Sequence, residues 1–323
     1  MFLKKILLFI RNKFLSLDIT RGINRRYYKR FKKHSFRGKK LKTRNQYEAV
    51  IIKMYHGIEK GLSYENYKPG FGKNAVCDLI TVLEEYSQKY DVEDFCYKTA
   101  LSALNEYVRK NREHGHTAPE TEKKIASLPG TENGFGGTVE VRPIPTEELE
   151  SLNFESFIKS RHSIRHFSQE RVDEQLLRKA VELAQHTPSA CNRQGWRTRI
   201  VCDKAVVEEI FKNQNGNRGF GQEIDKLIFI SFDINCFGRS REHYQGFIDG
   251  GMFAMNVLHS LHYYGIASVP LSASLTPVQE NNLRKILSLP ENEMPVIFIG
   301  VGAYPELTLT TRSERKDADI KTI

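Results

Sequence analysis

With 323 residues, 40% of them hydrophobic and 27% charged, the chain has the composition of a soluble globular protein with room for one large domain or two ordinary ones, which excludes fibrous and wholly disordered classes. Five cysteines, Cys77, Cys96, Cys191, Cys202 and Cys236, are scattered with no CxxC pair and no histidine at zinc spacing; this excludes a disulfide scaffold or zinc module and suggests reduced thiols in a cytoplasmic protein. The net charge of +10 is uneven: residues 1–60 hold 18 Lys/Arg against 3 Asp/Glu, a local +15 that leaves −5 for the rest.

The first stretch, "MFLKKILLFIRNKFL", has an apolar run from Ile6 to Ile10 broken by Arg11 and Lys13, with no small-residue cleavage site, so neither a signal peptide nor a membrane span is expected. "RRYYKRFKKHSFRGKKLKTR" interleaves Tyr27, Tyr28, Phe31 and Phe36 with cations. That composition suits an anionic membrane surface or, less well here, nucleic acid; it suits at least as well a solvated basic tail or a helix packed on its own body. Residues 1–45 are therefore read as a basic arm, and the protein as cytoplasmic or peripheral at the inner membrane face.

From 46 to 62, Tyr47, Val50, Ile51, Met54, Tyr55 and Ile58 recur at helical spacing, with Gly61 placed to end the helix. After the turn-rich "YENYKPGFGKN", two more amphipathic helices are expected over about 74–89 and 94–113. Residues 46–127 then form a helical domain. The Gly- and Pro-rich stretch from 128 to 150 is a linker, and 151–323 is a second domain.

That second domain opens with a short helix over 153–160. "VDEQLLRKAVELAQ" follows, with Leu176, Leu177, Ala180, Val181 and Ala184 on one face and Asp173 and Glu174 in the first turn, where the helix dipole favours them. Pro188 stops that helix. "WRTRIVCD" alternates as a strand, "KAVVEEIFKN" is a helix, and "KLIFISFD" is a buried strand. A long helix over 242–264 stops at Gly265; "IASVPLSAS" is extended; "TPVQENNLRKILSL" is a helix capped by Thr276 with Pro277 first; and "MPVIFIGVG" is a strand. Strands separated by helices of more than ten residues mean an α/β or α+β layer architecture, beside an all-helical N-terminal domain.

Three segments are richer in polar groups than structure alone requires. "SRHSIRHF" packs Arg161, His162, Ser163, Arg165 and His166 together, a charge-assisted donor set suited to phosphate or else a solvated basic loop. "TPSACNRQGW" groups Ser189, Asn192 and Gln194 around Pro188, and such amides match the edge of a flat heterocycle or make an ordinary turn. "TRSERKDADI" carries Arg312, Arg315 and Lys316, the cations of a basic tail. No catalytic triad is present, and His162, His166 and His186 have no partners at metal-ligand spacing.

Taken in order with "GIASVPL" and "GVGAYPE", these segments resemble the FMN-dependent nitroreductase family over about half the chain, residues 153 to 320. The resemblance implies a nitroreductase-like α+β fold, with a central mixed sheet flanked by helices, and a homodimer with FMN at its interface. It implies that Arg161, His162 and Ser163 hold the phosphate and ribityl chain, joined by Arg312 or Arg315. Arg165 would lie near the pyrimidine side of the ring and favour its reduced form; Pro188, Ser189, Asn192 and Gln194 would contact the flavin, often across the interface; Pro270, Leu271, Ser272 and Ala273 would pass near N5. The implied activity is reduction of a small organic acceptor, of nitro, quinone or enone type, with hydride from NAD(P)H, without a protein nucleophile or base. Flavin consumption or dehalogenation on the same fold, and a non-redox binding protein at an anionic surface, are the alternatives.

The sequence departs from the family pattern at Gly195, where Pro is usual, and at Ser272 and Ala273, where an acidic residue and Gly are common. Cys191 is either a thiol near the flavin or a small buried residue. "YHGIEKGLSYENYKPGFG" resembles the helical extension of some nitroreductase-like proteins of bacterial surface-polysaccharide clusters. Within it His56, Glu59 and Lys60 share a helix face, as local charge pairs or as a lid over the flavin.

Overall fold

The computed structural model describes residues 21–22, 24–36, 40–62, 67–138, 153–238, 242–308, 318 and 320–323. The chain start, most of the 128–150 stretch, the Lys60 side chain, Arg312, Arg315 and Lys316 lie outside the described residues.

Residues 24–34 form helix α1. It is followed by α2 (Arg44–Leu62), α3 (Lys73–Ser87), α4 (Phe95–Glu113) and α5 (Pro119–Ala126). Tyr47, Ile51, Tyr55, Ile58 and Leu62 line one face of α2 and meet Leu79, Ile80 and Leu83 of α3 and Tyr97, Ala100 and Leu104 of α4 in one core. The three-and-four spacing that predicts these helices is thus the spacing of their buried face. Helix α5 was not anticipated, although its signals are present: Pro119 at the first turn, Glu120 and Glu122 beside it, Lys123 and Lys124 at the end. Only Ile125 of α5 is buried, too little for a recognisable stripe. Beyond it Leu128 joins the helical core, and the backbone N–H groups of Asn133 and Gly134 donate to Ser102 Oγ at 3.2 and 2.9 Å, so this stretch lies along α4.

The rest of the chain builds α6 (Phe154–Ser160), α7 (Glu174–Ala184), β1 (Trp196–Val201), α8 (Lys204–Phe211), β2 (Lys226–Asp233), α9 (Gln245–Tyr263), β3 (Ala267–Ser272), α10 (Pro277–Ile286) and β4 (Glu293–Gly302). Strand β2 is buried along its whole length. Leu227 and Phe229 face α8 and α10, while Ile228 and Ile230 face α7 and α9, so alternate residues serve two separate cores. On the α9 side Trp196 stacks on Phe253, 4.6 Å between centroids.

The α+β class expected from the sequence holds. The sheet differs in one respect: with order β1-β2-β4-β3 every described pairing is antiparallel, where a mixed sheet was expected. The run β2-α9-β3 does leave its two strands pointing the same way, as a helical crossover requires, but β4 inserts between them and pairs with each.

Helices α1 and α2 rest on the end of this sheet. Tyr27 and Phe31 of α1 and Ala49 of α2 share a core with Phe232, Ile234, Phe237 and Met294. Asp233, fully buried at the end of β2, accepts from Asn45 Nδ2 of α2 at 2.6 Å, Asn292 Nδ2 at 2.8 Å and the Asn235 N–H at 2.9 Å, and pairs with Arg197 at 3.3 Å.

Candidate functional site

The first segment of interest follows α6 and runs beside the edge strand β3. The Ile164 N–H donates to the Ser268 carbonyl at 3.0 Å and the Ser168 N–H to the Ala303 carbonyl at 3.1 Å. Phe167 packs against Gly302, where a Cβ would sit 2.6 Å from its ring, so only glycine lets the segment approach β4. These anchors leave Arg161, half-buried, and His162, exposed, at the end of α9. Ser160 Oγ is 2.8 Å from His262 Nε2. Burial first, and the Arg161 guanidinium second, hold His259 and His262 below the ordinary histidine range. Tyr304, pushed up by burial, also feels this guanidinium. Arg161 Nη1 and His262 Nδ1 are both buried with no hydrogen-bond partner. Arg165 is exposed and donates to the Ser163 carbonyl at 3.3 Å. His166 points elsewhere, its Nδ1 2.7 Å from Glu223, whose carboxylate also accepts from the Phe167 N–H at 3.1 Å.

The second segment, 187–195, is strained. Cys191, Asn192 and Gln194 have φ of 53°, 52° and 47°, a left-handed conformation that costs roughly 1–2 kcal/mol at a residue with a Cβ. Hydrogen bonds impose it. Asp249 of α9 accepts from the Ala190 N–H at 3.2 Å, Arg193 Nε donates to the Ala190 carbonyl at 2.9 Å, and the Gln194 N–H donates to Ser189 Oγ at 2.9 Å. Arg193 is buried, pairs with Glu242 at 2.8 Å, lies 5.0 Å over the Phe237 ring, and has Nη1 without a partner. Burial pushes the Asp249 carboxyl upward. Pro188 and Asn192 are exposed; the Gln194 amide bonds the Asn192 carbonyl at 3.0 Å. At Gly195 a Cβ would lie 3.2 Å from Phe237 and 3.3 Å from Cys236, which gives the departure from Pro a structural reason.

The third segment is β3 itself. Pro270 sits opposite Ile299 on this edge strand, where a missing N–H is tolerated. Leu271 is buried, Ser272 exposed and Ala273 half-buried. The Ser272 carbonyl accepts from Gln214 Nε2 at 2.9 Å and its hydroxyl from the Ser274 N–H at 3.0 Å.

Arg161–Ser163 and β3 are thereby neighbours. The 188–194 loop is not beside them in the same chain: it is tied to Asp249 near the start of α9, whereas Ser160 meets His262 near its end, roughly 20 Å along the helix axis. Tyr244 at the N-cap of α9 and Ile248, Met252 and Met255 along it form an exposed apolar stripe. Sequence reasoning passed over Arg193, Asp249, His259 and His262. Asp249 carried a legible signal, an acid in the apolar run "GFIDGGMFAM"; the histidines looked like ordinary helix residues. His56 and Glu59 pair at 3.4 Å, and Glu59, raised by burial, accepts from the Gly137 N–H at 3.2 Å, a local helix-end arrangement.

The sequence pattern described as the nitroreductase family matches residues 158–217. The C-terminal part of the chain carries that pattern. It is 26% identical over 202 residues to an iodotyrosine deiodinase of Haliscomenobacter hydrossis, covering 54% of this chain and 89% of the relative. Among solved structures it is similar to a nitroreductase-like protein from Streptococcus mutans (TM-score 0.46, 20% identity, 53% of this chain and 100% of the other). It is also similar to an FMN-dependent nitroreductase from Clostridium difficile R20291 (TM-score 0.42, 20% identity, 49% and 91%).

Proposed function

We propose that the protein is an FMN-dependent oxidoreductase that reduces a small organic acceptor at the expense of NAD(P)H. The observation that carries this reading is that two buried nitrogens, Arg161 Nη1 and His262 Nδ1, have no hydrogen-bond partner, in residues whose charges interact at the end of α9. A buried guanidinium N–H without an acceptor is costly, and a phosphate would satisfy it and the imidazole together. The donor chemistry therefore fits the phosphate end of FMN, with His162 and Ser163 alongside; Arg312 or Arg315 would add charge. When bound, FMN supplies two-electron transfer through N5 of its ring.

The chain's own residues bind and position. Arg165, exposed two residues beyond Ser163, would favour the negative charge of a reduced ring, and the β3 backbone at Pro270, Leu271, Ser272 and Ala273 would form its flank. Because Ser189, Asn192 and Gln194 lie at the far end of α9, the reading includes a homodimer in which a second copy brings that loop to the flavin. The exposed stripe of Tyr244, Ile248, Met252 and Met255 supports such an interface. The hydrogen bonds that hold Cys191, Asn192 and Gln194 in a strained shape would keep their polar groups pre-set for the ring edge.

Likeness to a deiodinase favours a second reading, reductive removal of halide from an aromatic compound at the same site. Purified protein should release a yellow pigment of FMN mass on denaturation and bleach with NADH or NADPH under anaerobic conditions; Arg161→Ala should lose most of the pigment. Protein that neither carries nor takes up FMN would end the proposal. Halide release from a halogenated phenol, without reduction of nitro or quinone compounds, would select the second reading.

A further inference from the structure

We propose that the outward face of α1 is a docking surface for an anionic lipid membrane. Helix α1 has two distinct faces. Inward, Tyr27, Arg30 and Phe31 are buried; Tyr27 packs on Phe232, Phe247 and His243, and its hydroxyl donates to the His243 carbonyl. Three cations fasten the helix to the body: Arg26 to Asn281, Arg30 to Glu280 and Lys33 to Glu291. Part of the positive charge of the arm is thus used within the molecule.

The other face carries Arg25, Tyr28 and Lys29 at positions i, i+3 and i+4, all exposed, with Tyr28 59% accessible. Arg21 and Lys32 are exposed as well. Among the described residues Arg25 and Lys29 make no ion pair, although the body offers acids to the cations on the inner face. A tyrosine among cations is the composition found at the headgroup level of a bilayer. The first thirteen residues of the sequence mix Phe2, Leu3, Ile6, Leu7, Leu8, Phe9 and Ile10 with Lys4, Lys5, Arg11 and Lys13. Aliphatic side chains have a place beneath lipid phosphates and none on a nucleic-acid backbone, so lipid is the occupant these residues favour. Beyond residue 60 the chain has a net charge of −5, which an anionic surface repels. Approach through α1 is therefore the favoured orientation. This inference does not depend on the flavin reading.

The test is co-sedimentation of the full chain with vesicles of phosphatidylglycerol and phosphatidylcholine against vesicles of phosphatidylcholine alone, at two salt concentrations. Binding should require the anionic lipid and weaken with salt. Each surface cation contributes about fivefold to partitioning, so R25Q/K29Q should bind about 25-fold more weakly while keeping its flavin content and melting temperature. Equal binding to both vesicles, no binding to either, or unchanged binding of the double variant would overturn the proposal. So would binding to duplex DNA that the double variant loses while vesicle binding persists.

Discussion

Burial makes His259 and His262 reluctant to protonate, and the charge of Arg161 lowers them further. The consequence for stability has a definite sign. With folded values below the ordinary 6.5, His259 and His262 take up protons later in the folded chain than in the unfolded one. The stability they contribute is full above the unfolded value and is lost as pH falls through about 6.5 and below. Flavin-free protein should melt at progressively lower temperature between about pH 7 and 5.5. Bound FMN should flatten this dependence, because its phosphate favours the imidazolium. His262→Gln should flatten it in part, with a residual slope from His259 and from His243, which burial alone lowers. Thermal melts across this pH range decide the matter, and a variant as steep as the parent would refute the assignment. The residue scale is also where sequence reading was least complete. Arg161 was visible in "SRHSIRHF", but its neighbours His259 and His262 lie about a hundred positions away, and Arg193 was hidden among the amides it supports.

At the scale of elements, α2 is joined to the sheet through one buried carboxylate. Asp233 has no exposure and depends on donors from α2, β1 and the loop before β4. Asn45→Ala removes one of them and should destabilise the protein by about 1–3 kcal/mol, the cost of a buried acceptor left short. Urea unfolding measures it; a change below a few tenths of a kcal/mol would mean that water replaces the amide at no cost. Helix α2 also packs against residues 190–192 and 234–236, so the strained loop is covered by an element from the N-terminal region. Element types were largely legible because their signals are local. Thr276 and Gln279 cap α10 reciprocally, and Gly265 follows α9 at a φ of 69° that favours glycine. Helix α1 was harder to read. Tyr27, Phe31 and the stem of Arg30 form its buried stripe, but the surrounding cations give the same segment the composition of a solvated arm.

On the scale of the whole molecule, the two polar walls of the candidate site lie at opposite ends of α9, with an apolar stripe along it. Met252→Glu places a charge in the middle of that stripe, and a desolvation cost of ~2 kcal/mol or more would weaken self-association at least ~30-fold. If the parent dimerises through this face as proposed, sedimentation should then show monomer at concentrations where the parent is a dimer, and flavin retention should fall with it. A dimeric Met252→Glu variant would argue against an interface on this face.

The amino-acid sequence by itself determined most of the helices and strands, α1 and α5 excepted, and it carried an ordered set of motifs that resembles the nitroreductase family, because periodicity, capping and motif spacing act over a few residues. Tertiary structure decided the rest: β4 inserted between β2 and β3, α1 fastened through the Arg30–Glu280 pair across 250 positions, and Arg161 set against the end of α9. These features depend on burial and charge between residues remote in the chain, which no local pattern records.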